Sequence, residues 1–224
     1  MVDLDYLKYL EQFVTPERQA LFDKVLKDRT RHFTVVLEDL YQKHNTSAVV
    51  RSCDIFGVQD VHIIEKKYNS QVSRHVAKGA QKWLDFHQYN SFDEDNTGIC
   101  IESLREKGYQ IIATTPHNDS CFLPKFDITK KSAFVFGVEK EGVSERMMEE
   151  ADGYLKIPMH GFTESFNISV AAAVILNDVT GRMRASEDLD WKLSEEERLE
   201  KKLEWMEKSI KSIDQIKEHY YNNK

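Results

Sequence analysis

From Phe33 onward, short runs rich in β-branched and aromatic residues alternate with segments of helical length, and this alternation narrows the fold more than any other feature. The pattern predicts strands over Phe33–Leu37, Val61–Glu65, Trp83–His87, Tyr109–Thr114, Ala133–Phe136 and Tyr154–Ile157. It predicts helices over Thr46–Phe56, Thr97–Lys107, Ser144–Glu150 and Asn167–Arg184. Parallel strands need a long crossover between them, usually a helix, so the expectation is an α/β chain with a mostly parallel sheet covered on both faces. In such sheets ligands sit outside the carboxyl ends of the strands. The residues that follow each strand are therefore where chemistry is expected.

Two flanking regions are of another kind. In residues 1–30, Tyr6, Leu7, Leu10 and Phe13 fall on one helical stripe, and Thr15 followed by Pro16 reads as an N-cap with proline at the first helical position. Leu21, Phe22, Val25 and Leu26 continue the spacing, which gives a helical arm. Residues 186–224 form a charged helical tail, in which Leu199, Leu203, Met206, Ile210, Ile213 and Tyr220 fit a heptad seam interrupted by Lys217. The body between them, 31–185, carries the alternating pattern.

Composition removes several classes. No apolar run among the 224 residues approaches the roughly 20 needed to cross a bilayer, and the first residues have neither the basic nor the apolar stretch of a secretory leader. Three widely spaced cysteines, Cys53, Cys100 and Cys121, make neither a disulfide framework nor a zinc site, and they fit a reducing, cytoplasmic setting. No GxGxxG fingerprint occurs. Gly137 and Gly142 have the separation of a phosphate-binding P-loop, but Val143 and Ser144 stand where Lys and Ser/Thr are required, and Glu141 would repel phosphate. Neither a serine nucleophile elbow nor an HExxH pair is present.

The net charge of −7 argues against indiscriminate binding to nucleic acid, although a local basic patch is enough for a specific RNA. Lys24, Lys27, Arg29, Arg31 and His32 form one cluster. Lys66, Lys67, Arg74, His75, Lys78 and Lys82 form another. Solvated helix faces account for such clusters as well as an RNA footprint does.

Three segments have the character of a site. In the first, Asn45 follows a strand region and is placed to cap the helix from Thr46, while Arg51 lies roughly 9 Å further along the axis. In the second, the apolar run Phe134–Phe136 ends at Gly137, which permits a sharp turn or a close approach of backbone to a ligand, and Ser144 then caps a helix. In the third, the loop from Pro158 to Phe166 leads into a helix of small and apolar residues, with Ser165 and Asn167 offering polar groups at its start. Taken singly, each is also explained as ordinary capping.

In this order and spacing the three segments resemble the three motifs of the SPOUT RNA methyltransferases, over roughly Arg31–Arg184. Asn45, Ser47, Ala48 and Arg51 match the first motif. Gly137, Glu139, Lys140 and Gly142 match the second. The third matches as Ile157-Pro158-Met159 and Ser165-Phe166-Asn167-Ile168-Ser169-Val170-Ala171, with Phe166 in place of the usual leucine. The nearest branch methylates the ribose 2′-hydroxyl of a guanosine in the tRNA D-loop, at position 18. Val138 stands where ribosomal RNA enzymes often carry asparagine. A ribosomal RNA 2′-O-methyltransferase of the same fold, or a knotted RNA-binding protein without catalysis, is the alternative.

The resemblance implies a trefoil-knotted sheet that holds S-adenosylmethionine among loops at Thr114, Gly137, Ile157 and Phe166. It implies a homodimer acting on tRNA, with no DNA, membrane or metal involved. Arg51 would act on the ribose hydroxyl, as base or as phosphate positioner, and Asn45 would orient it. Glu139 would hold a neighbouring polar group, and Ser165 with Asn167 would complete the pocket. Lys24, Lys27, Arg29 and Arg31 would contact the RNA.

Overall fold

The computed structural model describes residues 2–40, 42–65, 77–116, 120–138 and 141–223. The chain divides into two compact units, Thr30–Trp191 and the pair of segments Met1–Arg29 and Lys192–Lys224. Residues 186–191, read above with the tail, thus fold with the body, where Thr30 Oγ1 donates to the Trp191 carbonyl at 2.6 Å.

The larger unit is built on seven strands: β1 (Phe33–Glu38), β2 (Asp60–Ile64), β3 (Asp85–Tyr89), β4 (Gln110–Thr114), β5 (Cys121–Phe122), β6 (Ser132–Phe136) and β7 (Gly153–Lys156). They pair in the order β3-β2-β1-β6-β4-β7-β5, and every pairing is parallel. All residues of β1, β2 and β6 are buried, as expected of central strands covered on both faces. Side chains alternate between two cores. Phe33, Val35, Leu37, Phe134 and Phe136 pack on one face with Val49, Val50 and Cys53 of helix α3 (Lys43–Ile55). The same core takes Ala172, Ile175, Leu176 and Val179 from the long helix Ile168–Ala185. Val36, Ile111, Ala113, Ala133 and Val135 face the other way, against Cys100, Ile101 and Leu104 of α4 (Asn96–Glu106) and Met147 of α5 (Glu145–Glu150). The long helix Ile168–Ala185 is α6.

Three local expectations change. The third strand begins at Asp85, because Ala80–Lys82 close a 3₁₀ turn that ends at Trp83. The two residues of β5 are too short to leave a periodic signal. Helix α3 begins at Lys43 with Gln42 as its cap, so Asn45 lies inside the first turn and does not cap.

In the smaller unit, Thr15 caps α2 (Pro16–Leu26), accepting from the Arg18 amide, with Pro16 at the first helical position. Helix α1 (Leu4–Leu10) buries Tyr6, Leu7 and Leu10, while Phe13 beyond it is exposed. The tail is two helices, α7 (Glu195–Ser209) and α8 (Ile213–Asn222). Ile210 leaves helical geometry and Ser212 sits at φ 55°, so no continuous heptad seam exists. Burial is centred on Trp205 and Met206, with the Trp205 ring edge-on to Phe22 at 5.8 Å.

Candidate active site

The carboxyl ends of β6, β4 and β7 lie side by side, and the segments that follow them enclose a cleft of about 400 Å³. Thr114, Gly137, Ile157, Ser165 and Phe166 all line it. Leu155, Ile157, Met159 and Ile168 provide apolar wall, and Gly137, Val138, Gly142 and Val143 border it on another side. The Thr114 hydroxyl already donates to the Val135 carbonyl at 2.8 Å, so toward the cleft it is an acceptor.

The wall made by the second motif is a closed loop. Val138 and Gly142 exchange two backbone bonds, at 2.9 and 2.7 Å. A Cβ on Gly137 would lie 2.0 Å from the Gly142 carbonyl oxygen, so the glycine is required by the loop's own backbone. Gly142, at φ 73°, makes the turn that closes it. The close approach that Gly137 permits is to the loop's own backbone, which is neither the sharp turn nor the approach to a ligand expected of it. Glu139 and Lys140 lie outside the described residues.

The loop ends at Ser144, which caps α5 and is gripped from below by a residue that the motif reading did not include. Glu38, 3% exposed at the end of β1, accepts from the Ser144 amide at 2.9 Å and from the Ser144 hydroxyl at 2.7 Å. Thr97 of α4 also donates to it, at 3.2 Å. The visible signal was a carboxylate ending an otherwise apolar strand.

The first and third motifs meet directly. Asn167 Nδ2 donates to Asn45 Oδ1 at 3.2 Å, and Asn45 Nδ2 donates to Gln42 Oε1 at 2.9 Å. Asn167 Oδ1 caps α6, accepting from the Ser169 amide and hydroxyl at 2.9 and 2.6 Å. With Asn45 almost fully buried, this amide pair fixes the start of α6 against the start of α3.

The chain agrees over residues 32–177 with the model of the SpoU rRNA Methylase family. It belongs to that family. A tRNA (guanosine(18)-2'-O)-methyltransferase from Borreliella burgdorferi is 38% identical, over 94% of this chain and 95% of the relative. One of the same name from Thermus thermophilus is 36% identical, over 72% of this chain and 81% of the relative. Among solved structures, the TrmH/SpoU tRNA modifying enzyme of A. aeolicus superposes with a TM-score of 0.76 at 29% identity, covering 87% of this chain and 98% of that one. The SpoU methyltransferase AviRb of Streptomyces viridochromogenes, crystallised with AdoMet, shares the fold at 21% identity with a TM-score of 0.61, covering 73% of this chain and 65% of that one.

Within this SpoU fold, neither Asn45, Asn167 nor Arg51 lines the cleft, and the RNA-contact set divides between exposed and held residues. Arg51 is exposed on α3 and does not line the cleft. It shares a helix face with Ala48, Ser52 and Ile55, and Ala48 and Ser52 border a shallow groove with Val170, Ala173 and Val174 of α6. Val170 and Val174 are exposed in the groove, and Ser169, Asn177 and Asp178 also border it, so this face of α3 and α6 mixes apolar and polar groups. Of the RNA-contact set, Lys24 and Lys27 are exposed, but Arg29 is 1% exposed with its guanidinium 5.3 Å from the Trp205 ring centre. Arg31 is committed to Asp60 at 2.8 Å and Asp85 at 2.7 Å. Arg29 is thus buried and Arg31 is held by two carboxylates, while Lys24 and Lys27 are the exposed members of the set. In the second basic cluster, Lys66, Lys67, Arg74 and His75 lie outside the described residues, while Lys78 and Lys82 are exposed.

Arg31 is instead one end of a polar ladder on β2 and β3. Asp60 also bonds to His87 Nε2 at 2.7 Å, the His87 ring stacks on His62 at 4.4 Å, and His62 Nδ1 meets the Tyr89 hydroxyl at 2.9 Å. Burial, aided by the charge of His87, pushes His62 down to about 3. Burial works to raise the Asp60 carboxyl, but the His87 bond and the Arg31 charge outweigh it and hold the group below the usual carboxylate range.

Proposed function

We propose that this SpoU-family chain transfers a methyl group from S-adenosylmethionine to the ribose 2′-hydroxyl of a guanosine in tRNA, the D-loop guanosine at position 18. The observation that carries the reading is the Asn45–Asn167 bond, which joins the first and third motifs beside the cleft walled by the second. That relatives at 36–38% identity are tRNA (guanosine(18)-2'-O)-methyltransferases supports the choice of tRNA over ribosomal RNA.

The cleft suits the donor in size and chemistry. Its volume lies in the range of small-molecule sites, and its apolar side chains beside polar residues such as Thr114, Thr115 and Ser165 match a purine and an amino-acid moiety. Thr114, Gly137, Ile157 and Phe166 would hold it. When bound, S-adenosylmethionine supplies an electrophilic methyl group on a sulfonium. The chain's own task is to exclude water from the cleft and to bring the ribose oxygen into line. A protonated guanidinium has five donors and no acceptor, so we assign Arg51 to positioning. It would bond a substrate phosphate and the 2′-oxygen together and lower the cost of the developing alkoxide, the hydroxyl proton passing to the phosphate oxygen or to water. Asn45 and Asn167 orient the groups around it, and Ser165 completes the polar rim.

Arg51 stands on α3 beside the α3–α6 groove, apart from its own chain's cleft, so the reading includes a homodimer in which that face, with Val170 and Val174 exposed, is the interface and the partner completes the site. Insertion of β6 between β1 and β4 is in keeping with a trefoil knot. The reading places the enzyme in the cytoplasm with its substrate. Incubation with labelled methyl donor and separate tRNA and ribosomal RNA pools, followed by nucleotide mapping, tests it. Label at a D-loop guanosine ribose is expected, and label confined to ribosomal RNA would overturn the choice of substrate.

A further inference from the structure

We infer that Glu38 is a positioning residue for the methyl-donor pocket, its carboxylate setting the cleft wall through Ser144. The inference rests on the reading of the cleft as the donor site. Three donors converge on this one buried carboxylate: the Ser144 amide on Oε2, and the hydroxyls of Ser144 and Thr97 on Oε1. Ser144 directly follows Val143, which lines the cleft and packs in the core beneath it, and Gly142 before that closes the loop on Val138. At its other end the loop leaves β6, which pairs with β1 in register up to Leu37↔Phe136. Both stems of the loop are thus tied to the end of one strand, one through the sheet and one through the Glu38 side chain.

A carboxylate suits this place for a specific reason. All three partners donate, and an ionised carboxylate only accepts. An amide cannot satisfy the same three. With its NH₂ on the Oε2 side it would face the Ser144 amide donor. With its NH₂ on the Oε1 side it would turn both hydroxyls into acceptors, using the second lone pair of Ser144 Oγ beside the Met147 amide and taking from both hydroxyl protons the acceptor they now have. Glu38→Gln therefore keeps shape and volume while weakening the hold on the Ser144 stem. Thr97 touches the loop only through Glu38 in this triad, so Thr97→Val should act in the same direction and more weakly.

The test is calorimetric titration of S-adenosylmethionine into wild type, Glu38→Gln, Thr97→Val and the double variant, with melting curves and tRNA affinities on the same preparations. We expect donor Kd to rise about tenfold in Glu38→Gln and about threefold in Thr97→Val. The double variant should match Glu38→Gln, since Thr97 acts through the carboxylate. tRNA affinity should not change. Donor affinity within twofold of wild type in folded Glu38→Gln would overturn the inference and leave the donor site standing. If Glu38→Gln does not fold, Thr97→Val decides: a raised donor Kd supports the inference and an unchanged one overturns it. Absence of donor binding by wild type would overturn the cleft assignment, and the inference with it.

Discussion

Replacing Gly137 with alanine adds one methyl group where the structure leaves no room. The new Cβ would lie 2.0 Å from the Gly142 oxygen, 2.3 Å from its carbonyl carbon and 2.4 Å from the Val143 nitrogen. All three atoms are backbone, so no side chain can rotate away. Widening the shortest contact to 3.0 Å displaces the loop by about 1 Å. The Val138–Gly142 bond pair, now 2.9 and 2.7 Å, cannot survive that shift intact. At about 1 kcal/mol for each weakened bond, the cost is about 2 kcal/mol, within the usual range for overpacking. For a domain of this size that lowers Tm by about 4–8 °C. Because the same backbone lines the cleft, donor affinity should fall about tenfold or more. Gly142→Ala is the control. Its Cβ would meet nothing within 4 Å, so only the φ of 73° is penalised, at about 1 kcal/mol. Melting curves and calorimetric donor titration on both variants check the reasoning. Wild-type stability and affinity in Gly137→Ala, or a larger loss in Gly142→Ala, would refute it.

Arg51→Ala is expected to stay folded and bind donor normally while losing almost all single-turnover methyl transfer, and Arg51→Lys to be nearly as damaging, since an ammonium lacks the planar fork; a near-wild-type rate in a folded Arg51→Ala would sink the assignment. Neutralising Lys24 and Lys27 should weaken tRNA binding and flatten its salt dependence without altering donor affinity, and an unchanged salt slope would place the RNA footprint elsewhere. Acid should destabilise the fold through His62. Its folded pKa of about 3 lies below the ordinary 6.5, so the unfolded chain binds the extra proton, and the stability present above pH 6.5 is lost as pH falls toward 3. Between about pH 7.5 and 5.5 this amounts to about 1.4 kcal/mol. A His62→Gln variant should show a correspondingly shallower fall in Tm, and parallel pH profiles would count against the buried neutral imidazole.

Periodicity and local chemistry were enough to read the layered α/β body, because strand and helix periods are properties of neighbouring residues. The β-branched and aromatic run from Phe33 to Leu37 does not depend on distant partners to be recognised. Strands β1 and β6 and helix α6 appear within a residue or two of where the pattern of Val35, Phe134 and Ala172 puts them. The caps at Thr15, Ser144 and Asn167 were legible for the same reason, since a cap bonds within its own first turn. The motif residues around the cleft were named, yet their arrangement was not. That the first motif reaches the third through Asn45 and Asn167, 122 residues apart, depends on which helices share a face of the sheet. The fates of Arg29 and Arg31 show the same boundary from the other side. In sequence both are basic residues of one cluster, and only the fold sets Trp205 over one and Asp60 with Asp85 beside the other. The tail reads as one amphipathic helix because heptad spacing is blind to the turn at Ser212. Glu38 was the plainest omission. A carboxylate at the end of a buried strand signals a demand for donors, but the donors come from Thr97 and Ser144, 59 and 106 residues away, and only tertiary packing could bring them to it.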